Sequence, residues 1–173
     1  MASRNLLKNP SASEGFSHWQ IENDGDGWEI VDLEGSSVAV APRAFASSYG
    51  WCAKWQTIDL YDEGFSKQYL DQNQPEISIS DWYGGRKDCG CQYEICVTLL
   101  ASDEKEIIAE YKEAPDYIPK GNDGSYHQVW HVFRNYGPDV RYVKFFHKGK
   151  DTLTWAGHYG ARVTNSSVTV KNP

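Results

Sequence analysis

Three stretches of this chain set aromatic rings beside hydrogen-bonding side chains. They are Tyr49 with Trp51, Trp82 with Tyr83 ahead of Asp88, and Trp155 with His158 and Tyr159. A flat ring next to a carboxylate or an amide suits one kind of chemistry. It stacks on the apolar face of a sugar while the polar neighbour hydrogen-bonds the hydroxyls at the sugar's edge. The same rings also fill β-sandwich cores, and residue type leaves both roles open.

Reaction chemistry has less support. The chain lacks a G-x-S-x-G elbow, a P-loop and a dinucleotide fingerprint. Asp81, Asp88 and Asp151 are carboxylates that a hydrolase would need paired, and their spacing gives no reason to pair them. His127 and His131 stand at a metal-ligand spacing for a helix, but their segment reads as a strand. On one strand face they are about 13 Å apart at ~3.3 Å per residue, too far to share an ion. Cys52, Cys89, Cys91 and Cys96 lack zinc-site spacing and read as structural or free thiols. Asn165-Ser166-Ser167 matches a glycosylation triplet but falls inside a predicted strand. No catalytic residue, cofactor or metal is expected.

Charge narrows the partners. The net charge of −7 lacks the basic footprint that phosphate backbones and anionic membranes require. No apolar run reaches 18 residues, so no spanning helix is expected. The start, Met1–Arg4, has no apolar segment behind it, which reads as a cytoplasmic location with reduced thiols.

Strands must position these rings. Residues 1–15 read as an arm, with Asn5-Leu6-Leu7 an apolar hook. Alternation predicts a first strand over 28–33, then strands over 52–59, 77–80, 93–99, 107–111, 126–133, 140–146 and 161–170. Residues 45–52 and the Trp82-Tyr83 pair are expected in loops, as is 151–160. One helix is predicted over 59–73, capped by Asp59 and stopped by Pro75. Strands at roughly ten-residue spacing, with no composition break, indicate one β-sandwich or barrel domain over residues 1–173.

Five blocks, in order, resemble the F-box-associated (FBA) domain. They are N-L-L-K-N-P at 5–10, G-D-G-W at 25–28, F-A-S-S-Y-G-W-C at 45–52, D-W-Y-G-G-R-K-D-C-G at 81–90 and W-A-G-H-Y-G-A-R-V-T-N-S-S-V at 155–168. The W-A-G-H-Y-G and D-C-G-C forms are similar to the branch named non-specific cytotoxic cell receptor protein. The resemblance implies an all-β jelly-roll sandwich of about ten antiparallel strands, galactose-binding-like, with one or two short helices. It implies recognition of a protein or glycoprotein ligand. Sugar-recognising members bind the inner chitobiose of N-glycans and present glycoproteins to a ubiquitin ligase. An F-box, which docks the Skp adaptor, is not in this chain. The branch name also suggests a receptor of cytotoxic cells.

The family's sugar site falls on Tyr49, Asp88 and the run Thr154, Trp155, Ala156, with Trp51, Tyr83 and His158 as auxiliaries. Binding members carry Tyr-Trp-Lys where this chain has Thr-Trp-Ala. The resemblance therefore implies a degraded glycan site that retains its central tryptophan.

Overall fold

The computed structural model describes residues 3–173. Among them the elements run β1 (Gln20–Glu22), β2 (Glu29–Asp32), β3 (Arg43–Ala46), β4 (Cys52–Asp59), α1 (Lys67–Asn73), β5 (Ile77–Gly84), β6 (Cys91–Ala101), β7 (Ile107–Glu113), β8 (His127–Phe133), β9 (Val140–Asp151) and β10 (Arg162–Val170), with a 3-10 turn at Gly35–Ala39. The strands form two five-stranded antiparallel sheets, ordered β1-β4-β9-β6-β7 and β2-β3-β10-β5-β8. This is the jelly-roll sandwich that the sequence implied.

Period-two patterning builds the sandwich. On β6, Cys91, Tyr93, Ile95, Val97 and Leu99 are buried, while Gln92, Glu94 and Cys96 between them are half exposed. Phe145 on neighbouring β9 and Phe45, Ile77, Ile79, Val163 and Val168 on the facing sheet complete the interior. The apolar hook at the start joins this core: Leu6 and Leu7 are buried, and the Leu6 amide donates to the Val168 carbonyl at 2.7 Å. Asn5 fixes the hook by accepting from the Leu7 and Val168 amides through Oδ1 and donating to the Ser166 carbonyl.

Four expectations need correction. The helix begins at Lys67, not at Asp59. Ser66 is its N-cap and accepts from the Tyr69 amide, whereas Asp59 ends β4 and accepts from the Tyr61 amide in a turn. Local hydroxyl and carboxylate caps compete, and the one followed by an unbroken helical run wins. The segment expected to be a loop before Cys52 begins with the last two residues of β3, Phe45 and Ala46, which pair with both β2 and β10. Trp82 and Tyr83 belong to β5, not to a loop. β9 extends to Asp151, five residues past its predicted end, because Lys148 and Lys150 face outward on a regular ladder with β6. The short β1 was not anticipated.

Candidate functional site

Asn165-Ser166 marks a bulge where β10 carries one more residue than its partner β5 between Thr164 and Ser167. Asn165 adopts φ 53° there, and buried Ser166 turns inward to donate to Asp81 Oδ1 at 2.6 Å. Asp81 lies fully buried in the core, so it forms no carboxylate pair with Asp88, which is exposed on the β5–β6 connection. Its other oxygen accepts from Tyr93 Oη and from His147 Nδ1, both at 2.6 Å. Burial holds His147 at a pKa of about 4, with the neighbouring Lys54 adding to the depression. Serine, aspartate and histidine thus meet, but the carboxylate sits between the other two. The imidazole cannot activate the hydroxyl, and the cluster is sealed from solvent. It is a structural network.

The loops at one end of the sandwich tell a different story. Five segments converge there, tied by backbone bonds. The Asp151 amide donates to Ser48 O, Gly160 N to Ser47 O, and Thr152 N to Gly90 O, all at 2.9–3.0 Å. Cys91 and Ile118 exchange both bonds at 2.9 Å, and Gly121 N donates to Lys87 O at 2.8 Å. Asp26 closes the ring: its amide donates to Ser48 Oγ and its carboxylate accepts from Gly157 N at 2.7 Å.

The sequence-predicted residues largely share this end. The connection between β9 and β10 starts on Asp151, whose Oδ1 accepts from the Leu153 and Thr154 amides. That turn holds Thr154 at φ 57° and projects Trp155, 39% exposed. Tyr159 stands edge-on to Trp155, with centroids 5.5 Å apart. His158 bridges to β2, with Nδ1 3.0 Å from Glu29 Oε2 and Nε2 3.2 Å from Asp26 O. Tyr49 is 36% exposed, beside Ser48 of the same ring of loops. Ala156 is exposed.

Two of the predicted residues are engaged elsewhere. Tyr83 is buried, its ring stacked parallel on Tyr93 at 4.3 Å, so it belongs to the core. Trp51 packs under Lys148 and Lys150, at 4.3 and 4.9 Å from its ring, on the outer face of β9. Asp88 remains exposed but is clamped by Arg86 through two bonds of 2.9 and 2.7 Å. That clamp holds the Asp88 carboxyl below the usual carboxylate range.

Two residues beside these rings were missed. Arg86 lies over the Tyr159 ring at 4.3 Å, and Lys120 Nζ approaches the Trp155 ring at 5.6 Å. Both come from other loops, and no local pattern marks them. Together the end presents two edge-on rings, two cations lying against them and a carboxylate paired with Arg86, which suits binding rather than bond-breaking. Among the described residues no group of three or more His, Cys, Asp or Glu could hold a metal, and no helix is long and apolar enough to cross a membrane.

The family model described as the F-box associated region matches residues 1–170. F-box only protein 2 of Bos taurus is 43% identical over 97% of this chain and 59% of its own length. F-box only protein 44 of Homo sapiens is 42% identical, over 98% of this chain and 69% of its own. The chain thus spans little more than half the length of the first of these relatives. Among solved structures, a TmCBM61 complex with β-1,4-galactotriose superposes with a TM-score of 0.60 at 13% identity, covering 98% of this chain and all of that one. A family 16 carbohydrate-binding module superposes at 0.55 with 16% identity, covering 95% of this chain and 99% of that one. At such identities the likeness is one of fold.

Proposed function

The chain belongs to the F-box associated family, and from that membership we propose that it is a non-catalytic recognition module with a weakened N-glycan site, binding a protein or glycoprotein partner. The observation that carries this reading is the run Thr154-Trp155-Ala156, exposed in the β9–β10 connection, one of the convergent loops. It keeps the tryptophan and lacks both a second stacking ring and a cationic donor within the run. A lost stack and a lost charged hydrogen bond together amount to ~2.5–4 kcal/mol. That corresponds to about two to three decades in affinity.

A second reading, a working lectin for inner chitobiose, draws on Lys120 and Tyr159. These two place a cation and a ring near Trp155 from other directions. Titration with chitobiose separates the two. The first reading expects millimolar or weaker binding in the native chain and a gain in Thr154→Tyr with Ala156→Lys. Micromolar binding by the native chain would overturn it in favour of the second. A place in ubiquitin-ligase substrate selection, with a Skp adaptor docked on an F-box in a longer cytoplasmic chain, fits the names of the relatives. Co-purification of such an adaptor with the longer protein tests it.

A further inference from the structure

Register places one straight row of outward side chains across all five strands of the sheet β1-β4-β9-β6-β7. It runs Gln20, Trp55, Phe146, Cys96, Lys112. Five strands at ~4.8 Å spacing make this row about 19 Å long. A parallel row, Thr57, Lys144, Thr98, Glu110, lies next to it. At the centre the rings of Trp55 and Phe146 stack at 5.9 Å and 28°, with Lys144 Nζ 5.5 Å from the Trp55 ring. A groove of about 910 Å³ opens over the β9-β6-β7 part of this face, lined by Phe146, Cys96 and Leu100 and by Asp103–Lys105 of the β6–β7 turn, and Trp55 stacks on Phe146 beside that lining. None of the tip residues Tyr49, Asp88, Trp155 or Tyr159 lines it.

The lining's charge selects the occupant. It carries five carboxylates (Glu94, Asp103, Glu104, Glu110, Glu113) against four ammonium groups (Lys105, Lys112, Lys144, Lys148). Two pairs are already closed, Lys148 with Glu94 at 3.4 Å and Lys112 with Glu110 at 3.5 Å. A phosphate backbone or an anionic lipid surface requires a basic excess, which this face lacks. The centre of a protein interface is depleted of Lys and Glu, which dominate here. A sugar hydroxyl both donates and accepts, so Lys and Glu side by side each serve it, while the ring face stacks on an aromatic platform.

We propose that this sheet face is a second ligand site and that its ligand is a neutral, unbranched oligosaccharide lying along the Trp55–Phe146 row. The proposal is independent of the tip and stands or falls without it. The test is titration of the native chain with cellohexaose, xylohexaose and mannohexaose by calorimetry and tryptophan fluorescence. Saturable binding to at least one is expected, weakened about tenfold in Trp55→Ala and unchanged in Trp155→Ala. Amide chemical-shift mapping on the unsubstituted protein serves if Trp55→Ala does not fold, and should light up β4, β9 and β6. The proposal is overturned by any of three results: no binding at millimolar sugar, shifts confined to the β9–β10 connection, or salt-sensitive binding of poly-glutamate in place of the sugars.

Discussion

Replacing Asp81 by alanine should be among the most damaging single changes in this protein. The Asp81 carboxylate is fully buried and accepts from Tyr93 Oη, Ser166 Oγ and His147 Nδ1, each at 2.6 Å. It is also the charge that opposes the desolvation of Lys54, whose pKa burial pushes well down. Alanine strands three donors and leaves Lys54 without that counter-charge. Removing one partner of a buried charged pair costs about 3–5 kcal/mol, and the stranded donors place Asp81→Ala in that range. For a chain of this size that is a fall in Tm of roughly 6–20 °C. Urea denaturation at pH 7 measures it. A companion substitution isolates the cause. Lys54 Nζ makes no hydrogen bond and rests over the Trp19 and Phe45 rings at 3.2 and 3.9 Å. Lys54→Met fills that space with a thioether that aromatic rings accept, so it should be near neutral or stabilising. Combined with Asp81→Ala it should recover part of the loss. A loss below about 1 kcal/mol for Asp81→Ala, against the range given, refutes the assignment of this cluster as a core network.

Three further outcomes are expected. His147 has a folded pKa of about 4, depressed from the ordinary value of ~6.5, so the unfolded chain binds the extra proton between those limits. Stability therefore falls as pH drops from about 6.5 towards 4, and urea midpoints should trace a slope that His147→Gln flattens. Arg86→Ala removes both bonds to Asp88, and a carboxyl titration followed by NMR should show the Asp88 pKa rising towards its ordinary value, with little change in Tm because the pair is exposed. Gly149→Ala drives a methyl group to within 2.9 Å of Ala161 Cβ and 3.0 Å of Ser47 Oγ, beneath the tip loops. Overpacking of this kind costs about 1–3 kcal/mol, measurable by thermal denaturation, and should loosen the Trp155 connection.

Strand alternation was the readable part of the fold. Tyr93 to Leu99 and Val140 to Phe146 lie on the strands that their periodicity predicts, because a half-buried strand exposes every second side chain. Ends were less readable. β9 continues through charged Lys148 and Lys150, since an outward face tolerates charge and pairing with β6 supplies the backbone bonds. The helix start went to Ser66 over Asp59 because Asp59 is drawn to the end of β4 by its pairing partner Tyr142.

For the site, the sequence by itself determined the aromatic inventory, the net charge and the family blocks, and with them the Thr-Trp-Ala run at 154–156. These are properties of residue type and order. Only the tertiary structure decided which rings are available. It buried Tyr83 against Tyr93, turned Trp51 under two lysines of β9, and left Trp155 and Tyr49 at the loop end. It also brought Lys120 and Arg86 to Trp155 and Tyr159, and set Asp81 apart from Asp88 in the core. The physical reason is that antiparallel pairing joins segments far apart in the chain. Side-chain neighbours there are chosen by cross-strand register and loop closure, which no local pattern encodes.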